Sequence, residues 1–451
     1  MTVARQQHEA ASSAGKRRDG LILLLLGAVI FLALGFALEY SASSPSADFN
    51  ALYYPARCLT KHCDLYLSSD VAKFYEPDAA HFPSSDWKAR EIATRNVYPP
   101  TAFTFMMPFA MLSWGPAHRL WLGLTVAMIL FVSALMWKLT ANYAPALSGG
   151  LIALFLINSE LLVISSNAAG IVVSLCVIAV CCFLHNRYAA LGVLCLAVSL
   201  TIKPQETGLV WLYFLLAGGL YRKRALQTLL ATAAIGLPAL LWVWHVSPHW
   251  LDEWRANLAA FSAHGAINDP GPASIGGHGL AMVISLQAFL SVFRDDPHFY
   301  NLGSYLVTAP LLLIWAAITL RTRATPARAW LALASIAAIT MLPVYHRQYD
   351  AKLLLLTLPA CLMLWSRRGL TGWLAVLMNT AAFVLTGDLT WALVLGWINH
   401  LPQPTTTRTY ETLLALQVFP APLMTLALGI FYLWAYARSS AGSESSLAPA
   451  G

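Results

Sequence analysis

The sequence predicts an all-α integral membrane protein, a polytopic helical bundle whose outer-face loops carry interfacial helices. Three observations predict it. Hydrophobic residues fill 58% of the 451 positions and charged residues only 11%, against roughly 25% charged residues in an average soluble domain. The apolar residues gather in runs that approach or reach the about 20 residues an α-helix needs to cross a bilayer. Positive charge is confined to short clusters between those runs, so the net charge of +7 reads as membrane orientation rather than as a nucleic-acid surface.

The first span is LILLLLGAVIFLALGFALEY, residues 21–40. It is full-length and follows a charged tail (1–20), unlike a signal peptide with its shorter apolar core and nearby small-residue cleavage site. Further apolar runs lie at 120–137, 147–164, 168–184, 188–202, 207–220, 225–246, 306–320, 329–344, 351–365, 370–385 and 413–437. Lys16, Arg17 and Arg18, then Arg222, Lys223 and Arg224, then Arg321, Arg323 and Arg328, and finally Arg367 and Arg368 are assigned to the cytoplasm by the positive-inside rule. Two shorter runs, 101–114 and 280–293, break that assignment if each is a full crossing, because the Arg222 and Arg321 clusters then face opposite sides. They are expected to be re-entrant or interfacial, as protein-lined cavities allow. The polytopic domain thus covers 21–437. Polar segments 41–100, 247–279, 345–350 and 387–408 fall on the outer face, and 438–451 is a disordered tail.

Five of the seven cysteines, Cys176, Cys181, Cys182, Cys195 and Cys361, lie in apolar runs, where cysteine behaves as a small hydrophobe. Cys58 and Cys63 fall in the first outer segment, where a disulfide between them can persist.

Four polar clusters carry the candidate chemistry. In SADFNALYYPARCLTKHC, 46–63, Asp48 sits close to the membrane surface, where a carboxylate can take a proton from a hydroxyl; it is equally suited to capping a helix. Tyr53 and Tyr54 are candidate walls for a sugar. In NVYPPTAFTFMMP, 96–108, Pro99 and Pro100 suit a helix start, and Tyr98 is available for stacking. In LTIKPQETG, 200–208, Lys203 interrupts an apolar stretch with Gln205 and Glu206 beside it. An ionisable residue at membrane depth is functional by default and a lysine suits a phosphate, although snorkelling to headgroups or pairing with Glu206 explains it equally well. In VYHRQYD, 344–350, His346, Arg347 and Tyr349 lie on an outer turn with Asp350 available to pair. Arg347 can grip two phosphate oxygens at once. Asn167 in SSNAAG, with Asn268, Asp269 and His278 in the long second loop, are weaker polar signals that turns also explain. No phosphate-binding glycine loop, zinc motif or paired-aspartate motif for a metal-bound nucleotide sugar is present. The clusters on the outer face therefore point to a lipid-borne donor.

The order of D-F-x-x-x-Y-Y (Asp48 to Tyr54), V-Y-P-P-x-x-F (Val97 to Phe103) with Pro108 after it, K-P-Q (Lys203 to Gln205) and a late polar turn resembles glycosyltransferase family 87, the GT-C-type enzymes related to polyprenol-phosphate-mannose-dependent mannosyltransferases. The resemblance runs over most of the chain. It implies a GT-C-type bundle in the plasma (inner) membrane and transfer of a sugar, mannose first, from a polyprenyl-phosphate donor to a glycolipid or glycan acceptor on the periplasmic or external face. It implies Asp48 as general base, with Lys203, Arg347 and His346 around the donor phosphate. Tyr53, Tyr54, Tyr98, Asn167, Gln205, His278 and Tyr349 are the expected substrate contacts. No metal or other cofactor is expected, and membrane lipids are the only further partner. Two departures stand out: SSNAAG replaces a Gly-Gln-containing turn, and YHRQYD replaces a tryptophan and histidine pattern. The alternatives are a GT-C enzyme of other specificity, such as an arabinofuranosyl transferase, and a lipid-carrier or solute transporter.

Overall fold

A computed structural model describes residues 2–42, 46–79, 82, 87–271, 283–390, 392–393 and 420–439. His278, most of the 387–408 segment and the tail beyond residue 439 lie outside them. Among the described residues the chain is helical, with one isolated β-bridge between Val283 and Arg347. Six helices among the described residues are long and apolar enough to cross a membrane: Ala14–Ser41, Trp114–Thr140, Pro145–Ile164, Gly219–Val246, Pro297–Arg321 and Pro420–Arg438.

In chain order, α1 (Thr2–Ser41) leads into four short helices, α2 (Ala47–Thr60), α3 (Ser68–Ala79), α4 (Trp87–Thr94) and α5 (Ala102–Ala110). Then α6 (Trp114–Thr140), α7 (Pro145–Ile157), α8 (Leu161–Ile164), α9 (Ala169–Leu184), α10 (Ala189–Ile202), α11 (Pro204–Leu216) and α12 (Gly219–Val246) run back and forth through the bundle. After α13 (Trp250–Phe261) and α14 (Leu286–Ser291) come α15 (Pro297–Arg321), α16 (Pro326–Ile339), a 3-10 helix (Asp350–Thr357), α17 (Leu358–Ser366), α18 (Leu370–Leu385) and α19 (Pro420–Arg438). The two short apolar runs form no span: they become the nine-residue α5 and the six-residue α14. Proline opens α7, α11, α15 and α16 at the first or second position, where its missing N–H leaves no hydrogen bond unmade.

The reversals gather at two ends. At one, Arg17 donates to the Asn142 side chain at 2.7 Å, and Arg224 donates to Phe183 O at 2.6 Å and to the Asn186 side chain. This end holds the basic clusters. α1 packs on α7 there through glycines: a Cβ on Gly149 would lie 2.1 Å from Gly20 O, and one on Gly27 2.5 Å from Ala153 Cα. Small residues permit such close backbone contact between apolar helices.

At the other end the turns around 46, 165, 203 and 346 meet under α2 to α5 and α13. Phe49, Tyr53, Tyr54, Phe103 and Trp121 form an aromatic core beneath them, apart from the aliphatic core of the bundle. Cys58 and Cys63 are bonded, with Cα atoms 5.1 Å apart, and close the end of α2.

Candidate active site

Asp48 occupies the first turn of α2, and it is not the cap. Ser46 holds the cap position with φ of 60°, and the free N–H groups of that end are satisfied from elsewhere. Ile164 O accepts from Ser46 N at 2.9 Å, and Ser165 O accepts from Asp48 N at 3.1 Å and Phe49 N at 3.4 Å. The C-terminal end of α8 thus caps the N-terminal end of α2, pairing orphan donors with orphan acceptors. Ser46 Oγ lies 2.5 Å from His118 Nε2 and 3.4 Å from Ser166 Oγ. Ser166 is itself left-handed, with φ of 52°. Two non-glycine residues in that region are held side by side next to Asp48, the kind of backbone strain that clusters at working sites.

With its backbone fixed, the Asp48 side chain enters a cavity of about 400 Å³ together with Ala51, three residues on. Tyr53 and Tyr54 do not reach it, contrary to expectation. At about 100° per residue they point roughly 140° and 120° away from Asp48 around the helix. The Tyr53 hydroxyl donates to Leu112 O at 2.8 Å and that of Tyr54 to Asp78 Oδ2 at 3.1 Å. Both are core residues.

Lys203 enters the same cavity from the sharp turn between α10 and α11. Its backbone is extended (φ −137°, ψ 76°) because Pro204 follows and disfavours the helical region for the residue before it. Only 6% of Lys203 is exposed, which removes the snorkelling explanation. Its Nζ donates to Asp350 Oδ1 at 2.7 Å and Asn167 Oδ1 at 3.0 Å, lies 3.8 Å from Glu206 Oε2, and sits 4.7 Å above the Tyr349 ring. Burial alone favours the neutral amine, but Asp350 and Glu206 outweigh it and raise the Lys203 pKa.

Asp350 joins the late turn to Lys203. Besides Lys203 it accepts from Arg347 N at 2.9 Å and lies 3.2 Å from His346 Nδ1. Burial alone would raise its carboxyl, yet Lys203 and His346 hold it below the ordinary carboxylate range. His346 is 1% exposed and is not among the cavity's lining residues. Its place is behind Asp350, one shell from the expected phosphate contact. Asn167 is also behind the wall, where Ala169 N donates to its Oδ1 at 2.8 Å and Lys203 shares that oxygen. Arg347 lines the cavity, donating from Nη2 to Ile267 O at 3.0 Å and from Nε to the Tyr345 hydroxyl.

Tyr98, Gln205 and Tyr349 complete the expected lining, while Ile92, Arg95, Trp254, Leu258, Phe261 and Asn268 close the cavity from the loops. Apart from Asn268 these were not singled out in the sequence, although Trp254, Leu258 and Phe261 recur at helical spacing in WLDEWRANLAAF. The α13 roof is fastened to the first loop: Trp254 Nε1 donates to Val97 O at 2.9 Å, and Asn257 Nδ2 to Tyr66 O at 2.9 Å and Asn96 O at 3.1 Å.

A carboxylate, the buried Lys203, the partly buried Arg347 and an aromatic wall share one cavity, an arrangement that can accept a proton and steady an anion. The family model of glycosyltransferase family 87 matches residues 96–344, more than half of the chain. The chain belongs to glycosyltransferase family 87. No curated protein and no solved structure matches it. In this family 87 glycosyltransferase the matched segment supplies Tyr98, Lys203, Gln205, Trp254 and Asn268 to the cavity, while Asp48 precedes it and Arg347 follows it.

Proposed function

We propose that this glycosyltransferase is a GT-C-type enzyme that transfers a hexose, mannose in the first instance, from a polyprenyl phosphate to a glycolipid or glycan acceptor. Asp48 acts as general base: it takes the acceptor hydroxyl proton as that oxygen attacks the anomeric carbon and the polyprenyl phosphate departs. The observation that carries the reading is the shared cavity of Asp48, Lys203 and Arg347. A carboxylate serves the attacking hydroxyl, and fixed positive charge serves the phosphate whose charge grows in the transition state. Tyr98, Gln205 and Tyr349 would contact the sugar. His346 would act on the phosphate through Asp350.

The outer, periplasmic face of the plasma membrane is supported by two features. The Cys58–Cys63 disulfide lies at the cavity end, and disulfides persist outside the reducing cytoplasm. The basic clusters lie at the opposite end, as inward-facing loops do.

The test is consumption of a radiolabelled synthetic polyprenyl-phosphate mannose by the purified enzyme in detergent or proteoliposomes. Release of polyprenyl phosphate with label in the acceptor is the expected result. A protein that leaves that donor intact while carrying a solute across the vesicle wall is a transporter, and the reading fails.

A further inference from the structure

The charges lining the cavity do not cancel. Arg95, Lys203 and Arg347 face Asp48 and Asp350, three cations against two carboxylates. Lys203 is committed: an ammonium has three N–H donors, and Asn167, Asp350 and Glu206 surround it. Arg347 is fastened to Ile267 O and Tyr345. Arg95 is different. It follows the last turn of α4, its side chain is 32% exposed, and its one ion pair among the described residues is Nη1 to Glu91 Oε1 at 3.5 Å. Glu91 does not line the cavity, and a partly exposed pair 3.5 Å apart restrains an arginine only weakly.

We propose that Arg95 is the leaving-group contact, a catalytic residue whose guanidinium leaves Glu91 to hold the phosphate of the donor. The inference rests on the polyprenyl-phosphate reading above. In the step, the bond from the anomeric carbon to the phosphate oxygen breaks and its electron pair goes to that oxygen. The acceptor oxygen forms the new bond, and its proton passes to Asp48. The phosphate changes from a diester with one negative charge to a monoester with up to two. A mobile cation that can present two N–H groups to it gains interaction energy as the bond breaks, and so accelerates the step rather than merely tightening binding. Lys203 and Arg347 then supply a fixed field from the floor, and Arg95 closes on the phosphate from the roof.

The experiment uses full-length wild type, Arg95→Ala, Arg95→Lys and Glu91→Gln, each checked for an unchanged thermal midpoint. Donor and acceptor KM, kcat and inhibition by synthetic polyprenyl phosphate are measured. Arg95→Ala is expected to weaken polyprenyl phosphate inhibition on the order of tenfold to a hundredfold, the range of a charge-assisted contact. It should lower kcat and leave acceptor KM unchanged. Arg95→Lys should recover part of the loss, and Glu91→Gln should bind polyprenyl phosphate no more weakly than wild type. Unchanged inhibition in Arg95→Ala, or a loss confined to acceptor KM, overturns the assignment. A wild type that ignores both polyprenyl phosphate and its mannosyl ester sinks the donor reading itself, and this inference with it.

Discussion

Lys203 Nζ lies 2.7 Å from Asp350 Oδ1 across 147 residues of sequence, joining the α10–α11 turn to the turn before the 3-10 helix. Both side chains are buried, and with Glu206 they form a group in which no single charge is replaceable by itself. Breaking a buried pair by removing one partner costs about 3–5 kcal/mol, because the survivor keeps its desolvation penalty without its compensation. Lys203→Ala is therefore expected to lower the thermal midpoint strongly. The double variant Lys203→Met/Asp350→Leu should recover much of the lost stability while remaining inactive. A Lys203→Ala variant with wild-type stability contradicts the pairing.

The disulfide closes a loop with a sequence separation of 5. A loop this short carries a stabilisation of about 2 kcal/mol in the chain-entropy model. Cys58→Ser/Cys63→Ser should lower stability by that order while the Asp48 cavity keeps its lining. Alkylation before reduction should leave both native cysteines unmodified, and labelling of both without reductant would remove the bond.

Glu253 on α13 gives the roof a pH dependence. Its partial burial, with Asp64 of the first loop beside it, pushes its carboxyl up from 4.5 to about 7. A carboxyl raised in the folded state binds its proton more tightly there, so its contribution is complete below about 4.5 and is lost as pH rises through about 7. Hydrogen exchange across 250–261, corrected for the intrinsic rate, should accelerate between pH 6 and pH 8, and Glu253→Gln should abolish that change. An identical acceleration in the Gln variant contradicts the coupling.

Most of the fold was legible because apolar runs and basic clusters obey the chemistry of the bilayer wherever they fold. Lys203 was legible for a related reason: a lysine before a proline interrupts an apolar stretch, and the same proline forces the turn that aims it. Tyr53 and Tyr54 lie in the core and not in the cavity lining, because closeness in sequence to Asp48 says nothing about the side of α2 they occupy, which is set by docking on Ser165. His346 and Arg347 are neighbours, yet one faces the bundle behind Asp350 and the other the cavity. Arg95 and the α13 stripe are not legible in the sequence, because their signal is a contact between two loop segments more than 150 residues apart, as in Trp254 with Val97.

The central claim is that Asp48 takes the acceptor proton. The measurement that tests it most directly is the single-turnover rate of sugar transfer from polyprenyl-phosphate mannose by wild type beside Asp48→Asn, an isosteric amide without the basic oxygen. The expected result is a loss of about 10²-fold or more in rate, the scale of general-base assistance, with polyprenyl phosphate still binding as it does to wild type. Full turnover by Asp48→Asn would contradict the account.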